Sequence, residues 1–217
     1  WNTIDPPMKI LTPGRMAYEP ALALQEKLVD SLVGGLGAET LILLEHEPVY
    51  TIGRTRDHSS LREGLRHPVF ETNRGGQATY HGPGQLTGYP ILDLGKRGRD
   101  LHLYLRFLEE YLIRLSAFYE VEAQRREGLT GVWVGQRKLA SLGVGVRKWV
   151  SMHGFAINIL ASSTTPFSSI TPCGLTGVEM TSLESESGRS ISFQEAMKTA
   201  GELFLAMVPR EGDFTTL

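Results

Sequence analysis

Cysteine is all but absent: Cys173 is the single one among 217 residues, so an internal disulfide is excluded and a reducing compartment is expected. No apolar run approaches the length needed to cross a bilayer, and no charged start followed by an apolar stretch marks a secretory signal. Membrane association is not expected. Neither sign of charge is in excess: 22 Lys and Arg stand against 24 Asp and Glu, a formal net charge of -2, which leaves no overall field to draw nucleic acid. Repeats, low-complexity tracts and Pro/Ser-rich linkers are missing too, which points to one domain over residues 1–217. The chain opens at Trp1 rather than Met, so a short leader is expected ahead of it and targeting is only partly visible. The expected location is the cytoplasm, or the mitochondrion or plastid in a eukaryote.

What is present is ordinary globular patterning. Ala21, Leu24, Leu28 and Leu32 recur at helical spacing after Pro20, a favourable first-turn residue, until Gly34 and Gly35 stop the helix. Residues 41–44, 49–53, 67–72 and 87–94 read as strands around a glycine-rich segment. Asp100 can cap a second helix whose apolar face is Leu101, Tyr104, Leu105, Leu108, Leu112 and Leu115. Strands at 131–134, 137–147 and 150–160 look like an antiparallel meander, and Ser192 with Glu195 opens a last helix carrying Ala196, Met197, Ala200, Leu203, Phe204 and Met207. Runs of strands interrupted by a few helices favour an α+β fold with a mixed, largely antiparallel sheet and packed helices. Residues 161–190 read mostly as loop, and a loop of that length inside a compact unit is often functional.

Three segments could carry chemistry. In Arg74-Gly75-Gly76-Gln77-Ala78-Thr79-Tyr80-His81-Gly82-Pro83-Gly84-Gln85, glycines let backbone N–H groups approach a ligand, while Arg74, Tyr80 and His81 can add specific polar contacts. The segment is neither a Walker loop nor a dinucleotide fingerprint, and a plain hairpin of tight turns is the competing reading. Cys173 sits in Ile170-Thr171-Pro172-Cys173-Gly174-Leu175, where Pro172 and Gly174 would present the thiol on a bent loop. A lone cysteine is more often an inert small hydrophobe than a nucleophile. To act as a nucleophile it needs its thiolate, and an unperturbed thiol of pKa about 8.5 is scarcely ionised at neutral pH.

Lys138, in Gly135-Gln136-Arg137-Lys138-Leu139-Ala140-Ser141-Leu142-Gly143, is the candidate helper. Strand alternation sends Arg137 and Lys138 to opposite faces, and an inward ammonium would stabilise the thiolate and exchange protons. The alternative is a solvated lysine at a strand start. His153, within Met152-His153-Gly154-Phe155-Ala156-Ile157-Asn158, is the rival base, unless local hydrogen bonds inside an apolar strand satisfy it. The six histidines are scattered, HExxH is missing, and neither a metal nor another cofactor is expected.

Taken in order, RGGQATYHGPGQL, GVWVGQRKLASLGV, HGFAIN and ITPCGL resemble the lipoyl(octanoyl) transferase family of lipoate biosynthesis, across about residues 41–180. The resemblance implies a fold like that of biotin and lipoate protein ligases and a cysteine/lysine acyltransferase mechanism. It puts the acyl-thioester cysteine on Cys173 and the lysine that lowers its pKa on Lys138. The acyl-binding segments it implies are Arg74 to His81 (Arg74, Gly75, Gly76, Gln77, Ala78, Thr79, Tyr80, His81), Ser141-Leu142-Gly143 and Gly154-Phe155-Ala156. Octanoyl-acyl carrier protein would be the donor; lipoyl domains of 2-oxoacid dehydrogenase complexes and the glycine cleavage H protein would be the acceptors. Thioester exchange needs no ATP, and backbone donors near Gly143 or the Gly75-Gly76 turn could hold the oxyanion. Such partners are typically acidic, so Arg54, Arg56, Arg62, Arg66, Arg147 and Lys148 are candidates for a basic rim. An ATP-dependent lipoate or biotin ligase, or a catalytically silent binder of acylated protein, are the competing readings.

Overall fold

A computed structural model describes residues 7–170, 178–212 and 214. Its elements run β1 (Lys9–Met16), α1 (Tyr18–Val33), β2 (Thr40–His46), β3 (Val49–Ile52), β4 (Val69–Glu71), β5 (Thr79–His81), β6 (Gln85–Ile91), α2 (Leu101–Ala117), β7 (Gln124–Arg126), β8 (Leu129–Val134), β9 (Arg137–Arg147), β10 (Val150–Asn158), α3 (Leu183–Ser187) and α4 (Phe193–Met207). Among the described residues, seven strands form one sheet in the order β1-β2-β6-β10-β9-β8-β7, and three form a small sheet, β4-β3-β5. Only β1–β2 in the large sheet and β3–β4 in the small one are parallel pairs. The expected α+β class with a largely antiparallel sheet is what the chain adopts.

The continuous apolar run of β2 explains the layering. Leu41 and Leu43 pack with the buried faces of α2 and α4, whereas Ile42 and Leu44 pack with Ala21 of α1, so helices cover both faces of the large sheet. Asp100 caps α2 by accepting from the N–H groups of His102 (2.8 Å) and Leu103 (3.0 Å), and Ser192 caps α4 by accepting from Glu195 N–H (3.3 Å). No described helix is long and apolar enough to cross a membrane.

Several boundaries differ from the sequence reading. Strand β1 was not expected because Pro13 and Gly14 interrupt it; at the sheet edge, with a register shift between Leu11 and Gly14, those residues cost no central ladder bonds. Helix α1 begins at Tyr18, with Pro20 inside the first turn where no N–H is required. Strands β5 and β7 are three residues each, too short for a periodic signal. Strand β6 spans 85–91 rather than 87–94, because Asp93 turns the chain by accepting from Gly95 N–H (2.8 Å). In the expected loop, residues 161–169 form successive 3-10 turns, with the hydroxyls of Ser163, Thr164 and Ser168 bonded to carbonyls three residues back.

Candidate active site

The site grows from one irregularity in the sheet. Strand β8 pairs with β9 only through Val134↔Arg137, Trp133↔Lys138 and Val132↔Ala140, which leaves the remainder of β9 without a strand on that side. The glycine-rich segment takes the position: Gly75 N–H donates to Val144 O at 2.9 Å. Gly75 N–H is thereby committed to the fold, so within the Gly75-Gly76 turn the N–H open to an oxyanion is that of Gly76.

Arg74 pins this loop to β3. Its guanidinium donates to Thr51 O (2.7 Å), Thr51 Oγ1 (2.8 Å) and Gly75 O (3.0 Å) while its own side chain is buried. Gly53 allows the loop to come this close, since a Cβ there would lie 1.8 Å from Gly76 O. His81 is held between Gln85 Oε1 (2.8 Å from Nδ1) and Thr51 Oγ1 (3.4 Å from Nε2), which assigns the proton to Nδ1. Gln85 then donates to Asn158 Oδ1 (3.0 Å), and Asn158 donates to Thr181 O (2.9 Å). A polar chain therefore connects the glycine-rich segment to residues shortly after Cys173. Burial, with His46 and Arg74 nearby, keeps the His81 imidazole neutral well below its usual range.

Lys138 is buried to 1% exposure, and Arg137 on the opposite face forms a two-pronged ion pair with Glu186 of α3 (2.7 and 2.8 Å). The alternation expected along β9 is the one observed. The Lys138 ammonium lies 5.3 Å from the centroid of the Trp133 ring, and Gly131 makes room for it: a Cβ there would be 2.8 Å from Lys138 Cε and 3.3 Å from Nζ. Its backbone pairs with the downstream chain, N–H to Glu179 O (2.8 Å) and O from Thr181 N–H (2.9 Å). Cys173 falls in residues 171–177, outside the described residues. The flanks of that segment are fixed on one side to Lys138 and on the other by Ile170, which bridges Leu61.

Two cavities meet at Gly76, Gln77, Leu142 and Gly143. The outer groove, about 500 Å³, is lined by Lys138, Gly75, Arg54 and Val144 together with Leu101, Leu105 and Leu129. The inner cavity brings together Arg74, Thr79, His81, Ser141, Gly154, Phe155 and Ala156. Ala78 and Tyr80 line neither; Tyr80 packs against Tyr50, Phe167 and Ile170 in a separate apolar cluster. Tyr18, Thr87 and Tyr89 also line the inner cavity and were not singled out from sequence: Tyr18 precedes the expected helix, and Thr87 and Tyr89 fell within an expected strand with no motif of their own. Beside them, His46 Nδ1 donates to Met16 O (3.0 Å) and Nε2 accepts from Tyr89 OH (2.7 Å).

His153 departs from the satisfied histidine that an apolar strand favours. It holds a positive φ of 58°, its N–H donates to Gln25 Oε1 (2.9 Å), and neither ring nitrogen has a hydrogen-bond partner among the described residues. Burial, then the positive Arg74, lowers its pKa to about 4. Of the basic-rim candidates, Arg54 lines the outer groove, Arg56 pairs with Glu71 (3.4 Å) and Arg147 pairs with Asp30. No cluster of three or more potential metal ligands occurs among the described residues.

Residues 17–205 match the family model described as the lipoyl protein ligase A/B catalytic domain. The octanoyltransferase of Geobacter sulfurreducens is 53% identical over 200 residues, covering 92% of this chain and 84% of its own length. That of Solibacter usitatus is 42% identical over 212 residues, covering 94% and 92%. Among solved structures, a lipoate-protein ligase A bound with ATP superposes with a TM-score of 0.77 at 14% identity, over 92% of this chain and 84% of that one. A biotin protein ligase from Aquifex aeolicus gives 0.55 at 14% identity, over 95% and 73%. These structures share the fold, as the sequence resemblance implied, while the octanoyltransferases share sequence over almost the whole chain. The chain belongs to the octanoyltransferases, within the lipoyl protein ligase A/B catalytic-domain family.

Proposed function

We propose that this acyltransferase, acting in lipoate biosynthesis as one catalytic unit over residues 1–217, carries octanoyl as a thioester on Cys173 and uses Lys138 to move the protons. The observation that carries this reading is Lys138: a lysine kept out of water, opening on a groove, with its backbone tied to the chain just downstream of the only thiol. An ammonium near a thiol favours the thiolate. The Cys173 thiolate attacks the thioester carbonyl of octanoyl-acyl carrier protein, the C–S bond to the carrier breaks, and the carrier's thiolate takes a proton from Lys138. The acceptor lysine amine then attacks the acyl-enzyme; an amide forms, Cys173 leaves as thiolate, and the amine's proton returns to neutral Lys138.

The acceptors are lipoyl domains of 2-oxoacid dehydrogenase complexes and the glycine cleavage H protein, and the compartment is the cytoplasm, or the mitochondrion or plastid in a eukaryote. Arg74, Gly76, Gln77, Ser141–Gly143 and Gly154–Ala156 form the acyl walls. Intact-protein mass spectrometry after mixing with octanoyl-acyl carrier protein, without acceptor, tests the mechanism. One octanoyl group removable by neutral hydroxylamine is expected on the native protein and none on Cys173→Ala. Full turnover by Cys173→Ala would replace the covalent route with direct transfer between the two protein substrates.

A further inference from the structure

The inner cavity carries more polar groups than a saturated hydrocarbon tail needs. Ser141 of β9, Ala156 of β10 and Thr87 of β6 stand opposite one another in a single row across three strands. The hydroxyls of Ser141 and Thr87, at the two ends of that row, have no hydrogen-bond partner among the described residues, and Thr87 is 1% exposed. Thr79 Oγ1 lines the same cavity, also buried and also without a partner. His153 adds an imidazole with both nitrogens unpartnered, two residues beyond Phe155 towards the hairpin end. Buried polar atoms are ordinarily paired, and leaving several unpaired around one cavity is costly unless a ligand or water satisfies them.

These are groups of one kind. Hydroxyls and a neutral imidazole each donate and accept, so they match a neutral partner that does both. The cavities join at Gly76, Gln77, Leu142 and Gly143, so an acyl chain whose thioester lies in the groove beside Lys138 enters the inner cavity tail first. We propose that the inner cavity takes medium-chain acyl groups bearing a hydroxyl at the end far from the thioester, held by the Thr87 and Ser141 hydroxyls, as well as the plain chain. This inference rests on the acyl-transfer reading above and extends its range of substrates.

The test is competition between octanoyl- and 8-hydroxyoctanoyl-loaded acyl carrier protein, with both products on a lipoyl domain quantified by mass spectrometry. The native protein is expected to transfer the hydroxylated chain at least as well as octanoyl. In Thr87→Val and Ser141→Ala, which remove a hydroxyl at nearly constant shape, the hydroxylated-to-octanoyl ratio should fall by about tenfold. Either variant alone reaching that fall supports the assignment, so it survives the misfolding of one. Octanoyl transfer with the same ratio in all three proteins, or rejection of the hydroxylated donor by the native protein, overturns the inference alone. Failure of the native protein to transfer octanoyl overturns it together with the acyl-transfer reading.

Discussion

Lowering the pH from 7 to 5 should destabilise this protein through its buried histidines. His46 is fully buried and His153 is 2% exposed, and desolvation brings both pKa values down from the usual 6.5 to about 4. Each is neutral when folded and takes up a proton when unfolded anywhere between those values. Their contribution is therefore complete above pH 6.5 and is lost as the pH falls towards 4. At pH 5 each accounts for a loss of about 2 kcal/mol, and His81, shifted in the same direction by burial, adds to it. Together they consume a large part of the ~5–15 kcal/mol available to a domain. The lowered carboxyls, Glu110 and Glu186, act in the same sense but at pH values below about 4.5, so the two windows separate. Urea unfolding followed by Trp fluorescence at pH 7, 6 and 5 measures the slope. His153→Asn, which tolerates the positive φ, should flatten it by about 1 kcal/mol per pH unit even if it lowers stability at pH 7. Equal stability at pH 7 and 5, or an unchanged slope in His153→Asn, would refute the neutral, desolvated state assigned to these rings.

Lys138→Ala should slow alkylation of Cys173 by iodoacetamide at pH 7 by about tenfold, converging with the native rate near pH 9, as expected when only the thiolate fraction changes. Gly53→Ala forces a Cβ to within 1.8 Å of Gly76 O, so it should displace the binding loop, abolish octanoyl transfer in a single-turnover assay and cost about 1–3 kcal/mol of stability. Removing nucleotide with apyrase and metals with EDTA should leave the transfer rate unchanged, because a thioester donor is already activated; abolition by either would favour a ligase-type reaction.

Much of this was legible in the sequence, and the exceptions share a cause. The helices α2 and α4 and the meander from β8 to β10 announce themselves through periodicity and caps, because each buries one stripe or face against a single layer. Strand β1 was hidden by Pro13 and Gly14, and β5 and β7 by their three-residue length, since long-range pairing rather than local preference makes them strands. At the site, the motif residues could be named, and Lys138 could be placed opposite Arg137 by simple alternation. What could not be read was that the glycine-rich loop uses Gly75 N–H as a rung of the large sheet, or that Thr87 and Tyr89 of β6 reach the cavity. The first depends on β8 parting from β9 and the second on β6 lying beside β10, features of the tertiary pairing that no short segment encodes. Gly131 carried a signal in hindsight: a glycine in an apolar strand marks close approach, here by the Lys138 side chain.

That parting of β8 from β9 has a consequence for any attempt to redesign the pocket. Strand margins with unused N–H and C=O groups attract strands from other molecules, and proteins normally shield them. Here the shield over the far half of β9 is the binding loop itself, attached by the rung at Val144 beside a half-exposed Val146. Variants that loosen the loop to admit bulkier ligands therefore also strip a protective cover. They should self-associate through β9, and a charged side chain in place of Val146 would be the compensating change to build in from the start.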